Sequence, residues 1–192
     1  MTEAIKLGVV ICSVRPGRHG AIVAKWAFEH ARAHPAFAAE LVDLAEVNLP
    51  LLDEPHHPRL KKYTKEHTLA WSARVDALDA FVFVTPEYDF SMPASLLNAL
   101  QFLASEWANK ACGFVSYGGI SGGLRGVQMS KQVVTALGMM PVPEAVAQPM
   151  FSKHIVDGVF APGEVQDKAA VAMLDSLARW SAALAPMRAA TR

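Results

Sequence analysis

Short apolar runs alternate with longer segments of helical period along most of the chain. The runs are rich in Val, Ile and Phe, as in VVIC at 9–12 and FVFV at 81–84. The longer segments place apolar residues three and four positions apart, as in IVAKWA at 22–27. This alternation is typical of βαβ units, so we expect a parallel β-sheet flanked by helices.

Five strands and five helices are predicted from this pattern. The strands are 5–12, 39–44, 79–85, 110–117 and 139–146, the last interrupted by prolines. The helices are 21–34, 64–78, 93–105, 122–137 and 163 to about 187, and the proline-rich stretch 46–58 is predicted to be irregular. Because the strand runs are nearly continuous, helices should cover both faces of the sheet. No repeat or linker divides the chain, which indicates one doubly wound α/β domain over residues 1–192.

The composition and charge of the chain narrow the classes of function. Of the 192 residues, 52% are hydrophobic and 19% are charged, which is typical of a well-packed enzyme or an obligate oligomer. The 18 basic and 18 acidic side chains cancel, so no overall field attracts nucleic acid or an anionic membrane. The same neutrality disfavours a soluble electron carrier, because carriers use a charged face to find their partners.

Cysteine usage and the two ends of the chain favour a reducing cytoplasm. Cys12 and Cys112, the only cysteines, lie in predicted strands and are interpreted as buried free thiols. The N-terminal segment has an acidic residue at position 3 and no signal-peptide pattern. Asp175 and Arg179 interrupt the C-terminal apolar segment, so no run reaches the about 20 residues that span a bilayer.

The loop after the first strand carries the clearest candidate chemistry. In doubly wound sheets the ligand lies beyond the carboxyl ends of the strands. Here the sequence is CSVRPGRHG, residues 12–20, which leads into a helix N-terminus whose amides and dipole favour an anion. Charge-assisted contacts from Arg15 and Arg18 would contribute roughly 1.5 to 3 kcal/mol each. This predicts a phosphomonoester site in preference to a solvated basic turn, and neither a Walker loop nor G-x-G-x-x-G is present.

The loop after the third strand, TPEYDFSMP at 85–93, allows two interpretations. Pro86 ends the strand, and Tyr88 and Phe90 supply aromatic surface beside a backbone able to bind the polar edge of a planar heterocycle. Alternatively, Glu87 and Asp89 form an acid/base pair for hydrolysis. The residues alone do not decide between these two.

The loop after the fourth strand also allows two interpretations. Within FVSYGGISGGLRG at 114–126, Ser121 fits the G-x-S-x-G nucleophile elbow of α/β-hydrolases. Four glycines in six positions equally suit a loop pressed against a flat ligand. A hydrolytic triad would have to use Glu144 and His154, and no oxyanion motif accompanies them, so an esterase is disfavoured. The adjacent His56 and His57 are interpreted as solvent-facing rather than as metal ligands.

Taken together, the three loops carry a family resemblance. CSVRPGRHG, TPEYDFSMPASLLNALQFL and VSYGGISGGLRGVQMSKQVVTALGMMPV resemble the NADPH-dependent FMN reductase family of flavodoxin-like proteins. The family pattern is G-S-x-R after a strand, then P-E-Y-N with S-x-P and L-K-N-A, and then a G-G-x-G-G-x-R loop. The match spans roughly 5–142. It implies a five-stranded parallel sheet of order 2-1-3-4-5, FMN as cofactor and NADPH or NADH as co-substrate.

The resemblance also assigns the cofactor-binding residues. It implies that the FMN phosphate is held in the first loop by Ser13, Arg15, Arg18, His19 and Gly20. It implies that the flavin ring is lined, mainly through backbone, by Pro86, Glu87, Tyr88 and Asp89, and flanked by Tyr117, Gly118 and Gly119. No catalytic side chain is expected, because the cofactor carries the hydride chemistry.

The sequence departs from the family pattern at four places, six residues in all. Cys12 replaces a glycine, and Arg18-His19-Gly20 stands where many members have a serine and an asparagine. The phosphate is therefore expected to be held more by charge than by hydroxyls. Asp89 replaces an asparagine and Leu97 a lysine. A carboxylate of Asp89 facing the ring would disfavour the reduced anionic flavin.

The expected function is an FMN-dependent NAD(P)H oxidoreductase. Hydride passes from NAD(P)H to FMN, and the electrons then pass to a small acceptor such as a quinone, a free flavin, an azo compound or a metal oxyanion. The alternatives are a non-catalytic flavin-binding carrier or sensor and, less favoured, the esterase. The four tryptophans fall at helix positions, where core or subunit interface is expected. Trp107, beside the second loop, and the high apolar fraction suggest a homodimer or homotetramer.

Overall fold

The computed structural model describes residues 4–189 and contains one main parallel sheet. Glu3, on which the expectation about the N-terminal segment relied, lies outside the described residues. The strands of the main sheet are β1 (Ile5–Ile11), β2 (Phe37–Asp43), β3 (Ala80–Pro86), β4 (Ala111–Tyr117), β5 (Met140–Pro141) and β6 (Val146–Gln148). The order is β2-β1-β3-β4-β5, all parallel, with β6 also paired to β4. The predicted flavodoxin-like fold and strand order are confirmed.

The fifth strand position is divided into two short pieces. β5 pairs with the start of β4 at Ala111 and Cys112, and β6 pairs with its end at 115–117. Pro141 and Pro143 lack the amide hydrogen that a continuous ladder requires, and the strand predicted over 139–146 is interrupted at 142–145. The break matters for the site because β6 brings the following segment beside the end of β4.

Helices cover both faces of the sheet, as the continuous apolar runs predicted. They are α1 (Gly20–Ala33), α2 (Leu44–Val47), α3 (Glu66–Ala77), α4 (Ala94–Gln101), α5 (Leu124–Ala136) and α6 (Glu164–Ala189), with short 3-10 helices at Pro58–Leu60, Ser105–Trp107 and Phe151–His154. One apolar core joins α1 and α6 to one face, and a second joins α3, α4 and α5 to the other. Each face of the sheet is therefore packed against its own set of helices.

Four features differ from the prediction. The helix predicted over 93–105 ends at Gln101, and Trp107 is 1% exposed, with its indole Nε1 donating to the carbonyl of Leu100. Trp107 is therefore a core residue, so the idea that it lies at a subunit interface is wrong. The short helix α2, capped by the Asp43 carboxylate, and a hairpin of β7 (Ile155–Val156) and β8 (Val159–Phe160) were not predicted.

The structure also bears on the thiols, the histidine pair and the long helices considered in the sequence. Cys12 and Cys112 are buried free thiols, as expected. Within residues 4–189, no group of three His, Cys, Asp or Glu side chains is arranged to hold a metal ion. His57 is exposed and accepts a hydrogen bond from the amide of Arg59. No helix in the same range is long and apolar enough to cross a membrane.

Candidate cofactor site

The loops after β1, β3 and β4 meet at the carboxyl edge of the sheet around a cavity of about 200 Å³. The residues that line it are Arg15, Arg18, His19, Pro86, Glu87, Tyr88, Tyr117, Gly118, Gly119 and Phe151. The structure thus brings together most of the residues singled out in the sequence. Ser13, Gly20 and Asp89 lie beside the cavity without lining it, and Phe151 was not foreseen.

One end of the cavity is basic and open to an anion. Helix α1 begins here, and its N-cap residue His19 makes no side-chain hydrogen bond to the first turn. The amides of Ile22 and Val23 donate to the His19 carbonyl, so within residues 4–189 those of Gly20 and Ala21 remain available. Arg15 is exposed and forms no ion pair with any residue of 4–189. Arg18 donates from Nη2 to Asp43 Oδ2 at 2.5 Å, whereas its Nε is buried without a partner in the described part of the chain.

Asp43 was not predicted as part of this end. It is the last residue of β2 and contacts both Arg18 and the amide of Ala45. The ion pair with Asp43 occupies one amino group of Arg18 and compensates part of its positive charge. Arg15 is therefore the arginine whose whole charge is available to a ligand. The sequence contained no signal for this pairing, because only the parallel pairing of β1 and β2 brings position 43 beside the first loop.

Gly20 is required by the closeness of Tyr117. A Cβ at position 20 would lie 2.7 Å from the Tyr117 hydroxyl oxygen, which no real contact allows. Tyr117 itself is 4% exposed, and burial together with the neighbouring Tyr88 raises the pKa of its hydroxyl above the ordinary value. The Tyr117 side chain therefore lines the cavity as a buried, uncharged group.

Tyr88 reaches from the second loop to the first. Its hydroxyl lies 2.6 Å from the hydroxyl of Ser13, which is fully buried. The side chain of Tyr88 therefore belongs to the basic end, whereas its backbone belongs to the loop after β3. The predicted role of Tyr88, mainly through its backbone at a ligand ring, did not include this side-chain contact with the first loop.

Glu87 joins the second loop to the third. Its carboxylate accepts hydrogen bonds from Ser121 Oγ at 3.0 Å, from the amide of Arg125 at 3.0 Å and from Arg125 Nε at 2.6 Å, and Arg125 Nη2 forms an ion pair with it. Burial by itself raises the pKa of this carboxyl. The hydrogen bonds from Arg125 and Ser121 outweigh that effect, so the pKa lies below its usual value. The Glu87 carboxylate is held by these hydrogen bonds, and its lowered pKa makes it a weak base, so it is not a general base.

Ser121 is a structural residue of its loop. Its hydroxyl donates to Glu87 and accepts from the amide of Gly123 at 3.3 Å, and it contacts no histidine in the described residues. His154, the only histidine downstream, packs edge-on against Phe160. The following glycines are needed for backbone reasons, since Gly122 has φ +61° and Gly123 has φ +85°. The G-x-S-x-G pattern therefore does not form a nucleophile elbow here.

Residues Asp89 and Phe90 form a tight turn between Tyr88 and Ser91. The Tyr88 amide donates to the Ser91 carbonyl at 3.0 Å, and the Ser91 amide donates back at 2.8 Å. Both central residues have positive φ, +49° for Asp89 and +67° for Phe90, a backbone conformation that non-glycine residues seldom adopt. Asp89 is exposed and does not line the cavity, so neither an acid/base pair with Glu87 nor a carboxylate facing a ligand ring is supported.

Phe151 lines the cavity and, like Asp43, was not predicted from the sequence to belong to the site. Its ring packs edge-on against Tyr117, with centroids 5.0 Å apart, and against His19 at 5.6 Å. The amide of Met150 donates to the Gly119 carbonyl at 2.8 Å, which holds this segment against the glycine loop. An aromatic residue after the last strand was visible in the sequence, but nothing local placed it at the cavity.

The cavity has two chemically different ends. Within residues 4–189, the basic end offers Arg15 without an ion pair, Arg18 Nε without a partner and the first two amides of α1, a set that suits a phosphomonoester. The other end offers the backbone of Gly119 beside open space, since a Cβ added there would meet nothing within 4 Å. Tyr117 and Phe151 adjoin both ends, because Phe151 also packs on His19 and the Tyr117 hydroxyl faces Gly20. This arrangement fits a flat ring joined to a phosphate.

Comparisons with known proteins agree with this geometry. The family model described as NADPH-dependent FMN reductase matches residues 5–153. An NAD(P)H-dependent FMN reductase of Schizosaccharomyces pombe is 40% identical over 159 residues, which cover 82% of this chain and 79% of that protein. One of Saccharomyces cerevisiae is 32% identical over 174 residues, covering 78% and 91% respectively. In fold, the flavoenzyme NAD(P)H:(acceptor) oxidoreductase FerB of Paracoccus denitrificans superposes with a TM-score of 0.71 at 21% identity, over 94% of this chain and 98% of that chain.

Proposed function

Because the chain belongs to the NADPH-dependent FMN reductase family, we propose that the cavity binds FMN and that the protein is an NAD(P)H-dependent oxidoreductase acting through it. The observation that carries the proposal is the union, in one cavity, of a free arginine at a helix N-terminus and bare glycine backbone beside aromatic rings. When bound, FMN would accept a hydride from NAD(P)H and release two electrons to an acceptor.

The basic end would hold the phosphate. Arg15 and the α1 amides would supply charge-assisted hydrogen bonds, and the unpartnered Arg18 Nε would supply another. Tyr88 lines the cavity, and its hydroxyl would donate to a ligand oxygen while it accepts a hydrogen bond from the buried hydroxyl of Ser13, which lies 2.6 Å away. His19 and Gly20 would help to position the start of α1. His19 packs on Phe151, and Gly20 allows α1 to lie close to Tyr117.

The other end would hold the flavin ring. The backbone of 86–88 and of Gly118 and Gly119 would face the polar edge of the ring and its plane, and Tyr117 and Phe151 would exclude water from one side. No side chain is needed as a nucleophile or general base. The protein would need only to orient the nicotinamide and the flavin ring with their reacting atoms ~3 to 3.5 Å apart.

The rim of the cavity favours a planar, uncharged acceptor. We define the rim by the exposed apolar side chains that the three loops, the start of α5 and the segment after β6 carry, namely Val14, Phe90, Ile120, Leu124 and Met150. Such a rim suits a quinone, a flavin or an azo compound better than a metal oxyanion, because an anion would lose hydration without gaining a charged partner. The same apolar rim supports a homodimer or homotetramer in which a second copy covers part of it.

Absorption spectroscopy and steady-state kinetics test the proposal together. The purified protein, mixed with FMN and passed through a desalting column, should retain the visible absorption bands of flavin and should oxidise NADPH or NADH when a quinone is present. A protein that binds FMN but shows no turnover with either nucleotide would be the carrier or sensor instead. A protein that retains no flavin would overturn the cofactor assignment.

A further inference from the structure

The Arg125 guanidinium lies between an acidic and an aromatic side chain of the second loop. One edge meets the Glu87 carboxylate, with Nε at 2.6 Å from Oε1, and its Cζ lies 3.7 Å from the centroid of the Phe90 ring. Arg125 is the second residue of α5, so these contacts join α5 to the turn at Asp89 and Phe90. No role was assigned to Arg125 from the sequence.

The environment of Glu87 makes this pairing electrostatically important. The Glu87 side chain is 6% exposed and lines the cavity, so its charge is poorly screened by water. The guanidinium of Arg125 carries the compensating charge, and the two nearly cancel at the cavity wall. An ionised carboxylate without that partner would present an uncompensated negative charge to any ligand ring in the cavity.

The carboxylate would stay in place without the guanidinium. Ser121 Oγ and the Arg125 backbone amide both donate to Oε2, each at 3.0 Å, and neither bond depends on the Arg125 side chain. The N-terminus of α5 also favours a negative charge at this point. Replacing the Arg125 side chain therefore removes the positive charge while two neutral donors continue to hold Glu87.

We propose that Arg125 is a positioning residue that neutralises Glu87 beside the flavin ring and so sets the relative affinity of the protein for reduced and oxidised FMN. The inference rests on the proposed function, since it requires FMN in this cavity. Reduced FMN is an anion near neutral pH, so a net negative wall disfavours it and a net positive wall favours it. The matched pair keeps the wall close to neutral.

Redox titration of the FMN-loaded protein tests this with three variants at about pH 8, well above the ordinary pKa of a carboxyl. Arg125→Met should weaken reduced FMN relative to oxidised FMN by about tenfold, which is a fall of about 30 mV in the two-electron midpoint potential. Glu87→Gln should change the same ratio in the opposite direction. The double variant Glu87→Gln/Arg125→Met should return close to the parent.

A matched control and a conservative variant complete the experiment. Arg32→Met breaks a similar Arg–Glu pair, with Glu29, near the far end of α1 and should leave the potential unchanged. Arg125→Lys retains the charge and should stay nearer to the parent than Arg125→Met. Thermal unfolding of the apo forms monitors the structural cost of each change separately from the potential.

The possible failures are distinguishable. If the parent binds no FMN, the proposed function fails. If FMN binds but Arg125→Met and Glu87→Gln both leave the potential within a twofold affinity ratio of the parent, the inference about Arg125 fails alone. Shifts of the same sign in both single variants would also overturn it, because they would reflect loosened loops rather than charge.

Discussion

The hydroxyls of Ser13 and Tyr88 lie 2.6 Å apart although 75 positions separate them in the chain. Ser13 follows β1 and Tyr88 follows β3, the adjacent strand, so this hydrogen bond joins two site loops directly. Glu87, the preceding residue, joins the same loop to the third one through Ser121 and Arg125. The segment after β3 therefore determines how far apart the two ends of the cavity lie.

Arg15→Ala should weaken FMN by roughly 1.5 to 3 kcal/mol and leave riboflavin nearly unaffected, because only FMN carries the phosphate. Fluorescence titration of the apo protein with both ligands measures this. Arg59→Ala, at an exposed arginine that does not line the cavity, is the matched control and should change neither affinity. An equal loss for FMN and riboflavin would refute the phosphate assignment.

Gly20→Ala should destabilise the protein by about 1 to 3 kcal/mol, because the added methyl group collides with the Tyr117 hydroxyl. Tyr117→Phe removes the colliding oxygen, so the double variant should regain much of the loss. Urea denaturation of the two single variants and the double variant measures the free energy of unfolding. Additive losses would mean that the crowding at Gly20 has another origin.

Ser121→Ala should leave NAD(P)H oxidation within a few-fold of the parent, because no covalent step uses this hydroxyl. A small loss of stability is expected, since one hydrogen bond to Glu87 disappears. Steady-state kinetics with NADPH and a quinone measures the first effect. A fall of the order of 10⁶, as when a true triad nucleophile is removed, combined with esterase activity in the parent, would restore the hydrolase interpretation.

Low pH should weaken the contacts of the Glu87 carboxylate with Ser121 and Arg125, which join the second loop to the third. The pKa of Glu87 is lower in the folded protein than in the unfolded chain, so its stabilisation is complete above about pH 4.3 and is lost as pH falls through the folded pKa. Unfolding free energies of the parent and of Glu87→Gln should differ most near pH 7, and the difference should shrink as the pH falls below about 4.3. A difference that stays constant over this range would show that the charge of Glu87 contributes nothing.

Sedimentation at low micromolar concentration should show a homo-oligomer. The expected reason is the exposed apolar rim of the cavity, including Phe90 and Ile120, and not Trp107, which lies in the core. Ile120→Lys, at a side chain that is 89% exposed, should shift the protein toward monomer without lowering its stability. A parent monomer with full flavin occupancy and activity would show that the site is complete within one chain.

The sequence by itself determined the architecture and the place of the site. Apolar runs of strand length and segments of helical period report burial on a local scale, so they predicted the strands, the covering helices and the single sheet. The three loops were recognisable because each follows a strand at the same edge of the sheet. The resemblance to a family then supplied the strand order, which periodicity does not contain.

Tertiary structure alone decided the partners within the site. Whether Ser121 meets a histidine or Glu87, whether Arg18 is free or paired with Asp43, and whether Phe151 reaches the cavity all depend on where distant segments of chain arrive. The same holds for Trp107, whose helical position was compatible with both core and interface. A side chain shows its chemistry in the sequence, but the choice of partner depends on non-local packing, because contacts across adjacent parallel strands join residues tens of positions apart.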